Sequence, residues 1–324
     1  MRQASKKQGI NLRPGNVISG KWHHRKYVIK KQLGSGAIGS VYLCEHNGKY
    51  AALKISDKSS SITMEVNVLK TFQKVQGNRL GPSLLDVDDW VDFQGNRWSF
   101  YVMEYLKGSS LADFLQRHGD EWLGILMLQI LDDLESLHQT GWVFGDLKSD
   151  NLIVTHPPAR LRWIDVGGTT QIGRSIKEYT EFFDRGYWQM GSRKAEPSYD
   201  LFALAMVMIQ YYYPNRFERG NSPERTLMNK VKQIPQLQKY QPTLRKALTG
   251  QYSSSEQMKN ELATILMGPT TKQTQYRRPT KTTTAKPKTQ YQARNDDGQG
   301  HPILESVGIC IVVLFFYFCY LFLL

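Results

Sequence analysis

Cysteine is scarce in this chain, with three residues among 324. Cys44 stands alone in the body of the sequence, and the other two lie in an apolar stretch near the end. This scarcity excludes a small secreted domain held by disulfides and favours a reducing compartment. An apolar run of signal-peptide length is also missing from the first residues, so secretion is not expected.

Acidic residues are missing from two segments. Residues 1–31 carry nine Lys or Arg and residues 270–295 carry seven, without one Asp or Glu in either segment. The net charge of +13 therefore comes from the ends of the chain, whereas residues 32–269 are neutral overall. Segments of this kind attract anionic partners such as nucleic acids or lipid headgroups, independently of the fold between them.

Charge is also absent from the last 19 residues, 306–324, which are rich in Phe, Leu, Ile and Val. As a helix rising about 1.5 Å per residue, this stretch would span roughly 28 Å, close to the hydrocarbon core of a bilayer. We expect residues 303–324 to form one transmembrane helix. The basic residues before it predict a single-pass protein of the cell membrane whose preceding domain is cytoplasmic.

The composition divides the rest of the chain. Residues 269–302 repeat Thr, Gln, Lys and Pro without apolar periodicity, which predicts a disordered juxtamembrane linker. Residues 1–21 form a basic N-terminal segment. Residues 22–268 hold most of the apolar and aromatic side chains, so they are the candidate folded domain.

Strand patterns come first in this domain and helical patterns later. Residues 27–55 hold three short β-rich runs separated by glycine turns, and a helical period follows over residues 61–74. Two further strand patterns precede residue 104. Long helical patterns follow, from Glu121 and over residues 201–213. The order predicts an α+β fold with a small β-rich lobe followed by a larger helical lobe.

A glycine-rich loop lies between the first two of these strands. Residues 34–41 read GSGAIGSV, and glycines there let the backbone approach phosphate oxygens closely. A dinucleotide fold would need a helix after the loop, whereas a strand follows here. The candidate nucleotide-binding residues of the loop are Gly34, Ser35, Gly36, Gly39 and Val41.

Two charged residues after this loop complete a candidate phosphate site. Lys54 ends the apolar run AALKI, and its ammonium group can pair with the α- and β-phosphates of a nucleotide. Glu65, on the helix that follows, is the candidate carboxylate that holds Lys54 in position.

A second group of candidate residues lies between a helix and an apolar strand. The stretch VFGDLKSDNLIV carries Asp146, Lys148 and Asn151, and WIDVGG, shortly after the strand, carries Asp165. Each residue alone could be a turn aspartate or a solvated lysine. Together, in this order and after the glycine loop, they indicate a functional site.

These motifs resemble those of the eukaryotic-like Ser/Thr protein kinases over roughly residues 22–268. The resemblance implies that Asp146 orients the substrate hydroxyl and accepts its proton, while Lys148 neutralises the γ-phosphate. It implies that Asn151 and Asp165 bind Mg²⁺ (or Mn²⁺) with ATP. Together with the expected C-terminal anchor, the chain is similar to tail-anchored kinases of spore-forming bacilli.

The same resemblance implies how the adenine of ATP is bound and how the catalytic loop is supported. Met103 is similar to the gatekeeper residue, and Glu104 to Leu106 resemble the hinge, with Ala52 also among the ATP-binding residues. Asp200 resembles the buried aspartate that begins a long helix and braces the catalytic loop.

Two features depart from the family pattern. Phe-Gly-Asp at 144–146 replaces His-Arg-Asp, so the arginine that clamps an activation-loop phosphate is missing. Activity is therefore expected not to depend on such a clamp, although four hydroxyl residues are candidates for autophosphorylation: Thr169, Thr170, Ser175 and Thr180. Ala-Pro-Glu is missing as well, and residues 186–191 (GYWQMG) occupy its place.

These departures leave two alternatives to a protein kinase. One is a pseudokinase scaffold that binds nucleotide without transferring phosphate, and the other is a small-molecule phosphotransferase of the same fold. Retention of Lys54, Asp146, Asn151 and Asp165 favours catalysis, and Lys148 with the glycine loop favours protein substrates.

The basic linker has three possible roles: a spacer that sets topology, a contact for anionic lipid, or a contact for nucleic acid. Two tyrosines alternate with its cations, a pattern that favours contact with nucleic acid. Our hypothesis is that DNA bound by the linker activates the kinase, and a second copy of the chain is a further candidate partner. The candidate contact residues are Lys272, Arg277, Arg278, Lys281, Lys286, Lys288 and Arg294.

Overall fold

The computed structural model describes residues 10–36, 38–74 and 80–268. The predicted linker, its seven cations and the predicted transmembrane helix lie outside these ranges. Within these ranges, no helix is both long enough and apolar enough to span a bilayer.

The small lobe is built on one antiparallel sheet of six strands, in the order β1-β2-β3-β4-β6-β5. The helix α1, Ser59–Phe72, connects β4 to β5 and packs on the sheet with Val66 and Leu69 buried. The strands are β1 Val17–Ser19, β2 Lys26–Ser35, β3 Ser40–His46, β4 Lys49–Ser56, β5 Leu84–Val91 and β6 Arg97–Glu104.

Local sequence explains the central hairpins of this sheet. Asn47 and Gly48 join β3 to β4, and both have positive φ, of 51° and 74°. Two-residue turns with this geometry match the twist of antiparallel strands, which is why Asn-Gly is favoured there. The three strands predicted over residues 27–55 are therefore present as β2, β3 and β4, with the glycine loop between the first two.

The small lobe also includes part of the segment that sequence separates as a basic N-terminal extension, residues 1–21. From residue 10 onward this segment packs on the lobe: β1 pairs with β2, and Leu12 and Ile18 are buried. The Tyr42 hydroxyl accepts a hydrogen bond from the Leu12 backbone N–H at 3.2 Å and donates one to the Ile10 carbonyl at 3.0 Å. Composition alone cannot reveal this packing because few of these residues are apolar.

The large lobe is mainly helical. Its helices are α2 Leu111–His118, α3 Glu121–Gln139, α4 Pro197–Tyr212, α5 Pro223–Gln233, α6 Pro235–Gln238, α7 Gln241–Leu248 and α8 Ser255–Met267. Short strands lie near the boundary with the small lobe: β7 Gly108–Ser109, β8 Trp142–Val143, β9 Leu152–Thr155, β10 Arg160–Trp163 and β11 Thr170–Gln171. They form two small antiparallel sheets, β10-β9-β7 and β11-β8.

The core of the large lobe surrounds α4, which is buried on nearly all sides from Tyr199 to Ile209. Its apolar sequence predicts this burial, since a surface helix would keep a polar stripe. The helix begins at Pro197, four residues before the run that the sequence suggested, because proline is accepted in the first turn where its missing N–H is not needed. Asp200 enters the core with this first turn.

Candidate active site

Lys54 connects the sheet of the small lobe to two carboxylates. Its Nζ lies 2.8 Å from Glu65 Oε2 and 3.2 Å from Asp165 Oδ1. The strand register places Lys54 opposite Tyr101 on β6, and the Tyr101 hydroxyl donates to Glu65 Oε2 at 2.7 Å. The structure thus brings together the lysine, the helix carboxylate and Asp165, which are distant in sequence.

Charge is retained in this buried cluster. Burial works to lower the pKa of Lys54, but Asp165 and Glu65 raise it above its ordinary value, so the ammonium stays protonated. Burial works to raise the pKa of Asp165, yet Lys54 and the Gly167 backbone N–H hold it below the usual range. An ammonium and an ionised carboxylate therefore stand side by side at the start of the segment that follows β10.

The catalytic-loop residues lie on the turn between β8 and β9. Lys148 Nζ lies 2.6 Å from Asp146 Oδ2, and the Asn151 amide donates to the Asp146 backbone carbonyl at 2.9 Å. Thr180 adds a hydroxyl to this group: its Oγ1 accepts from Lys148 Nζ at 3.2 Å and donates to Asp146 Oδ1 at 3.4 Å. The sequence indicates Thr180 only as a phosphorylation candidate, because these contacts join residues that are distant along the chain.

Asp146 is a suitable proton acceptor by its environment. Burial raises the pKa of Asp146, and its hydrogen bond to Lys148 opposes that shift. A carboxylate with a raised pKa is a stronger base than a solvated one, while the lysine keeps it ionised near neutral pH.

Asp200 supports the catalytic loop by accepting hydrogen bonds from its backbone. Its Oδ2 accepts from the Phe144 backbone N–H at 2.7 Å and its Oδ1 from the Gly145 N–H at 2.9 Å. His138 Nε2 lies 2.9 Å from Oδ2, and its other ring nitrogen lies 3.0 Å from the Ser255 hydroxyl. These partners fix the backbone immediately before Asp146, and the role of His138 among them is not apparent from the sequence.

The glycine loop closes as the hairpin between β2 and β3. Gly34 pairs with Val41 and Ser35 with Ser40, and the Gly36 N–H donates to the Gly39 carbonyl at 2.9 Å. A Cβ at Gly39 would collide with the Ile55 carbonyl, so this position needs glycine.

The predicted adenine contacts lie on β4, on β6 and just after it. Ala52 pairs with Met103 across the two strands, and both are buried, as is Leu106. The Glu104 carboxylate contacts Arg162 at 3.1 Å and the Ser83 hydroxyl at 3.2 Å. Its side chain is thus used inside the protein, so a contribution of Glu104 to adenine binding would come from its backbone.

The chain is similar to several known proteins. Residues 27–288 match the protein kinase domain family. The chain belongs to the protein kinase family. It is 46% identical to the serine/threonine-protein kinase YabT of Bacillus subtilis (strain 168), over 99% of this chain and 98% of that protein.

More distant relatives are kinases as well. Serine/threonine-protein kinase PAK 4 of Homo sapiens is 26% identical over 55% of this chain and 31% of that protein. The solved structure of vaccinia related kinase 3 superposes with a TM-score of 0.58 at 19% identity, covering 80% of this chain and 92% of that one, which supports the fold. The chain is therefore a serine/threonine protein kinase, and the family generally uses ATP and Mg²⁺.

The residues present fit a magnesium site of the kinase type. Asp165 offers an ionised carboxylate, and Asn151 uses its amide nitrogen on Asp146, which leaves its Oδ1 for a cation. Mg²⁺ prefers oxygen ligands and often completes its shell with phosphates and water. The described ranges hold no cluster of three or more His, Cys, Asp or Glu residues able to hold a metal ion.

Backbone geometry explains why this kinase lacks the family's arginine before the catalytic aspartate. Gly145 has a φ of +80°, and a Cβ there would collide with the Gly168 carbonyl. Gly168 in turn lies against Asp146, with no room for a side chain of its own. The catalytic loop and the turn after Asp165 therefore pack backbone against backbone, which excludes an arginine at 145 without rearrangement.

Two ion pairs support the segment where Ala-Pro-Glu is missing. The buried Asp184 carboxylate accepts from Arg193 at 2.6 Å, from the Tyr199 hydroxyl at 2.9 Å and from two backbone N–H groups. Arg185 pairs with Glu196 at 2.7 Å. The end of the activation segment is thus fixed by residues that differ from those of the family motif.

Proposed function

We propose that this kinase transfers the γ-phosphate of ATP to serine or threonine hydroxyls of proteins through the residues brought together in this cleft. The observation that supports it best is that Lys54 contacts both Glu65 and Asp165 while Asp146, Lys148 and Asn151 contact one another. Phosphoryl transfer depends mainly on positioning and charge neutralisation, and these residues supply both.

In this mechanism each side chain has one task. Asp146 orients the acceptor hydroxyl and takes its proton, and Lys148 stabilises the negative charge on the transferred group. Lys54, held by Glu65, positions the α- and β-phosphates. Asn151 and Asp165 would hold the metal, which when bound neutralises phosphate charge.

The experiment is phosphoryl transfer by the full chain to a generic basic protein, with Asp146→Asn as the variant. We expect kcat to fall by roughly a thousandfold or more while ATP affinity stays within about twofold. Asp150→Asn, at an exposed neighbouring carboxylate, is the matched control and should keep near-normal activity. Unchanged transfer by Asp146→Asn would exclude the assigned base, and no transfer by the unaltered protein would favour a pseudokinase.

We further propose that the kinase domain is tethered to the membrane by residues 303–324 and that the domain is cytoplasmic. The support is the uncharged run of 19 residues with seven cations before it. Fractionation of cells should place the full chain in the membrane pellet, from which alkaline carbonate does not release it. A chain ending at residue 302 should become extractable.

DNA is the proposed activating ligand of the linker, and autophosphorylation is the proposed response. Seven cations without an acid between 270 and 295 can release counterions from as many phosphates, which gives salt-sensitive binding without sequence specificity. Several chains bound to one duplex would come close enough to phosphorylate one another.

A further inference from the structure

A cleft of about 600 Å³ lies in the large lobe outside the active site. Its walls come from the end of the activation segment, at Gln189 and Met190, from α5 and from the start and middle of α7. We call it the basic cleft, after three of its lining residues: Arg225, Lys232 and Arg245.

These three cations are exposed, and within the described ranges no carboxylate forms a salt bridge with any of them. One acid, Glu224, is among the lining residues, so the cleft has an excess of positive charge. Two other cations of this lobe are paired: Lys246 with Glu261 at 2.7 Å, and Arg193 with Asp184. The cleft instead brings three exposed cations, which have no such partner among the described residues, to one place on the surface.

The wall formed by the activation segment is fixed in position. Gln189 has a φ of +56°, a left-handed conformation that is unusual for a residue with a Cβ. The Met190 N–H donates to the Arg185 carbonyl at 2.9 Å, and Arg185 is itself held by Glu196. Strained backbone that the surroundings hold in place is concentrated at ligand-binding and switch regions.

A short stretch of chain connects the cleft to the catalytic loop. Thr180, which contacts Asp146 and Lys148, precedes Gln189 by nine residues, at most roughly 30 Å of extended chain. A substrate protein bound at the cleft can therefore place an acceptor hydroxyl at Asp146 if a short flexible segment of the substrate separates that hydroxyl from the bound part.

The lining residues favour a peptide chain as the ligand. Met190, Met228 and Pro223 offer apolar surface, and flexible methionines adapt to different side chains. The ten residues that line the cleft include no aromatic ring on which a base could stack. Positive charge beside flexible apolar side chains fits an acidic stretch of polypeptide better than a nucleic acid.

We propose that the basic cleft binds an acidic segment of the protein substrate and so selects which proteins are phosphorylated. This inference rests on the proposed kinase function and adds a substrate class to it. It assigns Arg225, Lys232 and Arg245 to substrate recognition, separate from the residues that bind ATP.

The test compares two substrates of the full chain that share one acceptor sequence and differ in an appended tail, either of glutamates or of neutral Gly and Ser. We expect the acidic tail to lower KM roughly five- to tenfold at low salt, since three exposed charge pairs of modest strength would form. High salt should remove this advantage. The triple variant R225A/K232A/R245A should lose it while keeping kcat and the KM of the neutral substrate.

Two further variants separate the cleft from general charge and from folding. Lys70→Ala removes an exposed cation on α1 and should leave the preference unchanged. Reversing the charges in R225E/K232E/R245E should shift the preference to a lysine tail, which a misfolded protein could not show.

The outcomes are distinguishable. Phosphorylation of both substrates with equal KM would overturn the cleft proposal and leave the kinase function intact, whereas phosphorylation of neither would refute the kinase function itself. Competition of duplex DNA for the acidic peptide that persists after deletion of 270–295, or loss of self-association in the triple variant without a change in KM, would assign the cleft to another partner and overturn the proposal.

Discussion

Buried polar side chains set the geometry of this active site, and Asp200 is the clearest case. Its carboxylate is fully buried and accepts from two backbone N–H groups and His138. A buried N–H group that loses its acceptor still carries its full desolvation penalty. The loop before Asp146 is thus held by one side chain that is 54 residues away in sequence.

Asp200→Ala should therefore lower the free energy of unfolding by about 2–5 kcal/mol, because two N–H groups and a histidine lose their acceptor. Asp200→Asn keeps one acceptor oxygen and should lose less. Urea denaturation of the full chain in detergent, followed by circular dichroism, measures the difference. A midpoint for the alanine variant equal to that of the unaltered protein would show that these bonds contribute nothing.

The buried carboxyl of Asp133, on α3, makes the stability of the protein depend on pH. Burial raises its pKa from the ordinary value to about 6, and Arg160 at 2.8 Å only partly offsets this. Between about pH 4 and 6 the folded protein therefore holds a proton that the unfolded chain releases, so stability falls as pH rises through that range.

Asp133→Asn removes this titration. From about pH 4 to 7 its free energy of unfolding should rise relative to the unaltered protein by on the order of 1–3 kcal/mol. Thermal or urea unfolding at a series of pH values measures this, with Asp113→Asn, an exposed carboxylate on α2, as the control. Parallel pH profiles for the Asp133 variant and the unaltered protein would contradict the raised pKa.

At the scale of elements, the contact between the catalytic loop and the turn after Asp165 depends on glycine. A side chain at 145 faces two penalties, the left-handed backbone and the collision with the Gly168 carbonyl. Gly95 has nearly the same φ, +81°, with no neighbour near its hypothetical Cβ, so it isolates the first penalty.

Gly145→Ala should lower stability by about 2–4 kcal/mol and reduce kcat at least tenfold, because Asp146 shifts with the loop. Gly95→Ala should cost about 1 kcal/mol and leave kcat unchanged. Gly145→Arg, which restores the family's residue, should not increase activity. Equal effects at 95 and 145 would show that the Gly168 contact is unimportant.

Across the whole molecule, both polar and apolar contacts link the lobes. Lys54 of the small lobe contacts Asp165, and Arg162 on β10 donates to the Gly81 carbonyl at 2.6 Å and pairs with Glu104 at the end of β6. A shared apolar cluster adds to these contacts: the rings of Phe72 on α1 and Trp163 on β10 have centroids 6.4 Å apart, and both belong to one buried core with residues from both lobes.

The proposed response to DNA also belongs to the whole molecule. Duplex DNA should raise autophosphorylation of the full chain at about 50 mM salt, and the stimulation should disappear at about 500 mM, since counterion release drives the binding. Deletion of residues 270–295 should remove the stimulation and keep basal turnover. Anionic vesicles form the parallel arm of the assay. Stimulation that survives high salt, or that vesicles alone produce, would refute DNA as the ligand.

Elements and motifs that depend on neighbouring residues can be predicted from the amino-acid sequence alone. Strand alternation, the Asn-Gly turn at 47–48 and the apolar run of α4 predict a small β-rich lobe followed by a larger helical lobe, which the structure confirms. The kinase fold is implied by the resemblance of the motifs to that family, and the family match and the solved structure confirm it. The glycine loop and the 144–151 loop can be recognised from the sequence, because a phosphate-binding backbone and a catalytic loop each need particular residues close together along the chain.

The contacts between distant side chains, by contrast, become visible only in the folded protein. The contacts of Thr180 with Lys148, of Asp200 with His138 and of Arg162 with Glu104 join residues more than 30 positions apart. The exclusion of arginine at 145 comes from the Gly168 carbonyl, and the basic cleft combines three separate elements. Such features follow from packing in three dimensions, because local residue preferences carry no information on which surfaces come into contact when the chain folds.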